Sequence, residues 1–141
     1  MNDKCFVDTN LLVYFRDASE PAKQRTAERW LKKLWKSQSG CISWQVLNEY
    51  YVIVTQKLKP GLHRDLARMD IKNLMVWNPV VVDYFVVDHA WMLQDQFRLS
   101  WWDALIVSAA LKADCLTLLT EDLQHGQSIH GMTIINPFYN K

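Results

Sequence analysis

Four acidic residues stand where an acid needs a reason. Asp8 directly follows the apolar run Cys5-Phe6-Val7, and Asp122 comes just after the run Leu116-Thr117-Leu118-Leu119. Glu49 shares a helical stripe with Gln45, Val46, Val52 and Ile53, its neighbours at three and four residues. Asp103 opens an almost wholly apolar stretch, with Leu99, Ile106 and Val107 beside it. Carboxylates that converge repel: two about 4 Å apart oppose each other by about 4 kcal/mol at an effective dielectric of 20. A cluster of four must protonate in part or be balanced by a divalent cation. Hard oxygen ligands with no His or Cys nearby suit Mg²⁺ or Mn²⁺ rather than zinc. A cation held in this way lowers the pKa of a bound water and makes it a nucleophile for hydrolysis.

Each acid also has a local explanation. Asp8 can cap the helix that follows it. Ser100-Trp101-Trp102-Asp103 fits a capping box, with Asp103 reaching back. Asp122 can cap a short helix at Leu123. Capping does not explain Glu49, although a tilted helix would expose it to water. Four independent caps, however, have no reason to share one edge of a fold.

The elements that must position these acids alternate between short apolar runs and helical stretches. Strands are expected at Cys5-Phe6-Val7, Gly40-Cys41-Ile42-Ser43, Met75-Val76-Trp77, Cys115 to Leu119 and Met132 to Ile135. Helices are expected from Leu11, and over residues 20–38, 45–58, 62–74, 82–97 and 101–112. In 20–38 the apolar positions Ala27, Trp30, Leu31, Leu34 and Trp35 are spaced by three and four. This alternation predicts a single α/β domain over residues 1–141: a mostly parallel sheet with helices on both faces and its strands sharing one direction. The apolar helix 101–112 must be covered and is expected at the centre of the packing. Asp8 and Asp122 then lie at the carboxyl ends of their strands, the edge where open parallel sheets bind ligands. Glu49 stands above that edge, and helix 101–112 returns Asp103 to it.

Bulk properties limit the alternatives. No run is long and apolar enough to span a membrane, and no basic-then-apolar leader precedes Cys5, so a soluble cytoplasmic protein is expected. Cys5, Cys41 and Cys115 are odd in number, widely spaced and without a CxxC pair, which predicts buried free thiols. Four glycines supply neither a GxGxxG fingerprint nor a P-loop. Asn10 stands where a phosphatase with an aspartyl nucleophile would carry a second acid. The net charge is only +1, but residues 1–75 hold 13 basic and 8 acidic residues, against 3 and 7 in residues 76–141. Lys23, Arg25, Arg29, Lys32, Lys33 and Lys36 concentrate the positive charge on one helix, either as a solvated face or as a surface for phosphates.

Val7-Asp8-Thr9-Asn10-Leu11-Leu12, then Ser43-Trp44-Gln45-Val46-Leu47-Asn48-Glu49-Tyr50-Tyr51, then Trp101-Trp102-Asp103-Ala104-Leu105-Ile106, then Leu119-Thr120-Glu121-Asp122 resemble the successive motifs of PIN domains. The likeness is above all to the VapC-type toxins of bacterial toxin–antitoxin pairs, and it covers nearly the whole chain in order. The resemblance implies a three-layer PIN-like fold. It implies that Asp8, Glu49, Asp103 and Asp122 form a catalytic, metal-binding quartet using Mg²⁺ or Mn²⁺. Thr9, Asn10 and Thr120 would orient the acids, and Glu121 is a second carboxylate beside Asp122. The implied activity is that of an endoribonuclease cutting unpaired RNA, with a small antitoxin as partner and a homodimer as assembly. Trp30, Trp35, Trp44, Tyr50 and Tyr51 would line an apolar groove for a partner helix, or pack in the core. A housekeeping ribonuclease of the same fold would use the same acids, and a catalytically silent binding module would bind metal without cleavage.

Overall fold

The computed structural model describes residues 3–139. Five strands form one sheet in the order β2-β1-β3-β5-β4: β1 Cys5–Val7, β2 Gly40–Cys41, β3 Thr117–Leu119, β4 Ser128–Ile129 and β5 Met132–Ile135. Phe6 lies opposite Cys41 on one side and Leu118 on the other, and Leu118 lies opposite Ile134, all in parallel. Phe6, Val7, Leu118, Leu119 and Ile134 are fully buried, as strands covered on both faces must be. The one antiparallel pairing, β4 with β5, breaks the expected common direction. His130 (φ 49°) and Gly131 (φ 86°) make a two-residue hairpin turn with both residues in the left-handed region. Two residues, one of them polar, left β4 without a sequence signal.

The helices are α1 Thr9–Arg16, α2 Pro21–Ser37, α3 Trp44–Val52, α4 Arg64–Leu74, α5 Tyr84–Phe97 and α6 Trp101–Lys112. Pro21 opens α2 where a missing N–H costs nothing. α1 packs against α2 and α3, and α5 packs along α6. Every residue of α6 from Ala104 to Ala110 is buried, as its all-round apolar sequence requires. Its hydroxyl residue Ser108 donates to the Val86 carbonyl of α5 at 2.7 Å, so no polar group is stranded there. The three cysteines are free and buried. Among the described residues no helix is long and apolar enough to cross a membrane.

Two expected elements differ. Met75–Trp77 is a 3₁₀ turn that continues α4, not a strand. Met75 and Val76 are exposed, whereas Trp77 folds inward against the Trp35 ring at 5.8 Å. The extended pairing occurs three residues later, where Val80 bridges Ser43 in parallel. The stretch 45–58 is not one regular helix either. α3 passes into a π-helical turn over Ile53–Lys57, in which Leu58 N–H donates to Ile53 O at 2.9 Å.

Candidate active site

The β1–β3 and β3–β5 ladders each continue one step past the strands and align the first two functional residues. Asp8 N–H donates to the Leu119 carbonyl at 3.1 Å, and Thr120 N–H to that of Ile135 at 3.0 Å. Asp8 is only 5% exposed. Its Oδ1 accepts from Thr9 N–H at 2.7 Å, capping α1, and its Oδ2 accepts from the Thr120 hydroxyl at 2.7 Å. It therefore caps a helix and faces the cleft at once. Burial pushes its carboxyl up to about 7, against the hydrogen bonds from Thr120 and Thr9, while Asp122 and Glu49 add to the rise.

The other acids reach the same place from different elements. Thr9 Oγ1 donates to Glu49 Oε1 at 2.7 Å, so α1 braces the acid of α3. Ser43 caps α3 and Ser100 caps α6, the latter accepting from Asp103 N–H at 3.1 Å. That cap sets Asp103 in the first turn of α6 with its carboxylate on the cleft. Asp122 starts no helix; residues 121–123 are a bend instead. The Thr120 hydroxyl accepts from Asp122 N–H at 3.1 Å, and Asn10 Nδ2 donates to Asp122 Oδ2 at 3.3 Å. Loss of surrounding water raises the Asp122 carboxyl, followed by the charges of Asp103, Glu121 and Glu49, with Asn10 opposing.

Asp8, Glu49, Asp103 and Asp122 thus border one cleft of about 740 Å³. Asp17 and Glu121 add two more carboxylates, and among the described residues Lys57 is the one Lys or Arg that borders the cleft. Glu121 differs from Asp122 in being engaged: Tyr14 OH donates to it at 2.8 Å and Lys23 Nζ lies 3.3 Å away. The sequence gives no hint of this triad, because Glu121 lies 107 and 98 residues from its partners. Tyr14 and Asp17 carry a faint signal, standing four and seven residues beyond Asn10 on the same helical face.

Two further expectations resolve into parts. Of the six basic residues noted on α2, only Lys23 touches a cleft residue, and Glu121 neutralises it; Lys32 pairs with Glu28 at 3.4 Å, and Lys33 lies over the Trp30 ring. The five aromatics do not share a groove. Trp35 and Tyr50 border an apolar groove of about 650 Å³ with Leu12, Phe15, Leu74 and Trp77. Trp30, Trp44 and Tyr51 are not part of it.

The donor set is all hard oxygen. Asn10 Oδ1, a buried acceptor without a partner, belongs to a residue that borders the cleft. Both features, and the raised carboxyls, fit a divalent cation. Among the described residues no three His, Cys, Asp or Glu side chains already stand close enough to enclose an ion. A cation would have to draw the acids in, which is the expected sense for like charges that repel.

The PIN domain family model matches residues 5–127. No match is found among curated protein sequences. Among solved structures, a protein from a Klebsiella pneumoniae toxin–antitoxin complex superposes with a TM-score of 0.70 at 17% identity, over 96% of this chain and 98% of that one. VapC20 of Mycobacterium tuberculosis, described as a toxin that cleaves the sarcin–ricin loop, superposes with a TM-score of 0.62 at 22% identity, over 82% and 87%. At these identities the structural likeness is one of fold. A family match spanning most of the chain, over a five-stranded, mostly parallel sheet with these motifs at its carboxyl edge, places the chain in the PIN domain family.

Proposed function

We propose that this PIN domain, a single unit over residues 1–141, is a metal-dependent endoribonuclease that acts in the cytoplasm as the toxin of a toxin–antitoxin pair. One observation carries the reading: Asp8, Glu49, Asp103 and Asp122 border a single cleft although they arise from four different elements. Mg²⁺ or Mn²⁺ held by these carboxylates would supply charge neutralisation at the phosphate and a water of lowered pKa. The chain's own residues set the geometry for that. Asp8 is fixed through both oxygens by Thr9 and Thr120, Glu49 through Thr9, and Asp122 through Asn10. Three of the four carboxylates are thus held in orientation before a cation draws the set together. Glu121, tied to Tyr14 and Lys23, is a supporting residue rather than a ligand.

Two of the superposed structures carry toxin names, which supports RNA as substrate and a small protein antitoxin as partner. The groove bordered by Leu12, Phe15, Trp35 and Trp77 supports the partner as an amphipathic helix with apolar anchors. A homodimer completes the proposal, and sedimentation as a monomer over a wide concentration range would remove it. The test of the activity is a mixed RNA pool incubated with the protein in Mg²⁺ or Mn²⁺, with EDTA and Asp8→Asn as controls. Cleavage lost in both controls supports the reading. Cleavage that persists in both sends the activity to a different site or to a contaminant.

A further inference from the structure

The cleft has a charge problem that a metal at the quartet does not solve. Among the described residues its border carries six carboxylates and one cation, Lys57. A cation held by the quartet offsets repulsion only at the phosphate it touches, whereas an RNA strand brings a negative charge with every nucleotide. Each flanking phosphate must pass the same acidic walls.

Lys57 stands where that matters. It is exposed and makes no ion pair among the described residues, unlike Arg16, Lys23, Lys32, Arg68 and Lys112, each of which is matched by an acid. It is the last residue of the π turn that ends α3. In the π turn Ile53–Lys57 the hydrogen bond closes over five residues, not four. Lys57 stands four residues beyond Ile53, and both border the cleft. Gln56 faces elsewhere, into a concavity with Tyr51, Thr55 and Arg64. Glu49 and Lys57 are eight residues apart, about 12 Å along the helix. That separation suits Lys57 to a phosphate neighbouring the one at the quartet.

We propose that Lys57, presented by the π turn, is a positioning residue that holds an RNA phosphate flanking the scissile one. This rests on the ribonuclease reading above. The contact is one of charge, without base information, so it acts on every single-stranded RNA alike.

The test uses the Asp8→Asn chain, which holds RNA without consuming it, a fluorescein-labelled single-stranded RNA of random sequence, and anisotropy titrations in Mg²⁺ from 50 to 200 mM salt. One lost phosphate contact on a single strand lowers the slope of log K against log salt by about 0.7, or about fourfold in affinity at 0.15 M. Adding Lys57→Gln is expected to do this, Lys57→Arg to restore the slope, and Lys36→Gln on α2 to leave it unchanged. In the otherwise unaltered chain, Lys57→Gln is expected to raise KM for RNA cleavage severalfold with kcat retained. An unchanged slope and KM in Lys57→Gln, or an equal drop in Lys36→Gln, overturns the assignment while RNA cleavage by the unaltered chain keeps the ribonuclease reading. A chain that neither binds nor cuts RNA removes both.

Discussion

Asp8 is pulled two ways. Its hydrogen bonds from Thr9 and Thr120 favour the carboxylate, but burial outweighs them and the carboxyl rises to about 7 from a usual value near 4. The folded protein then holds a proton that the unfolded chain has released, so metal-free stability falls as pH rises from about 4 to about 7 and levels off above. The slope is at most about 1.4 kcal/mol per pH unit. Asp122, raised for a related reason, acts in the same direction. Asp8→Asn removes the titrating group while keeping the oxygen that caps α1. In EDTA at pH 8 it is expected to unfold at a higher denaturant concentration than the unaltered protein, and the two should converge near pH 4. The same variant, and Asp103→Asn, are expected to lose RNA cleavage by at least about 100-fold while their circular dichroism is unchanged. Full activity in both would remove the quartet from the mechanism.

Among the elements, Gly40 shows how tightly the sheet edge is filled. A Cβ there would sit 2.4 Å from the Trp77 ring, which is itself packed on Trp35. Gly40→Ala must therefore displace the 3₁₀ turn or α2, and is expected to cost about 1–3 kcal/mol in a urea titration. The same contact explains what the sequence hid. Met75-Val76-Trp77 has the residue types of a strand, but Trp77 is used as a plug over Gly40 rather than as a rung of a ladder. That choice is tertiary and leaves no local trace. β4 escaped notice because its pairing comes from the left-handed turn at His130 and Gly131, and His-Gly is a weaker signal than Asn-Gly. The acids were legible because Asp8 and Asp122 abut apolar strands and Glu49 and Asp103 interrupt apolar helices. Their braces were only partly so: Thr9 and Asn10 adjoin Asp8, whereas the Tyr14–Glu121–Lys23 triad joins residues that nothing in the chain associates.

At the scale of the molecule, α1 separates two concavities. Asn10, Val13, Tyr14 and Asp17 face the acidic cleft, while Leu12, Phe15 and Arg16 face the apolar groove. On the groove side, Arg16 makes a two-pronged pair with Asp70 of α4 at 2.7 and 2.9 Å, and Tyr50 of α3 donates to the same carboxylate. This knot ties three helices together. Asp70→Asn leaves the guanidinium half-buried without its counter-charge and is expected to cost about 1–3 kcal/mol, read as a lower denaturation midpoint. Arg16→Lys should recover little of the pairing in the same assay, since an ammonium cannot make the bidentate contact.

An eight-residue helix is about 12 Å long, so α1 is a thin partition. The side chains that brace Glu49 and Asp122 start from the same two turns of backbone that carry Leu12, Phe15 and Arg16. A displacement of α1 on the groove side would therefore move the braces, and a movement of the acids would pull on the same helix. Thermodynamic reciprocity then fixes the bargain: if a groove occupant changes the affinity of the acids for a cation by some factor, the cation changes the occupant's affinity by that same factor. If the proposed cation and the proposed groove partner both bind, divalent ion concentration becomes a variable in how firmly that partner is held.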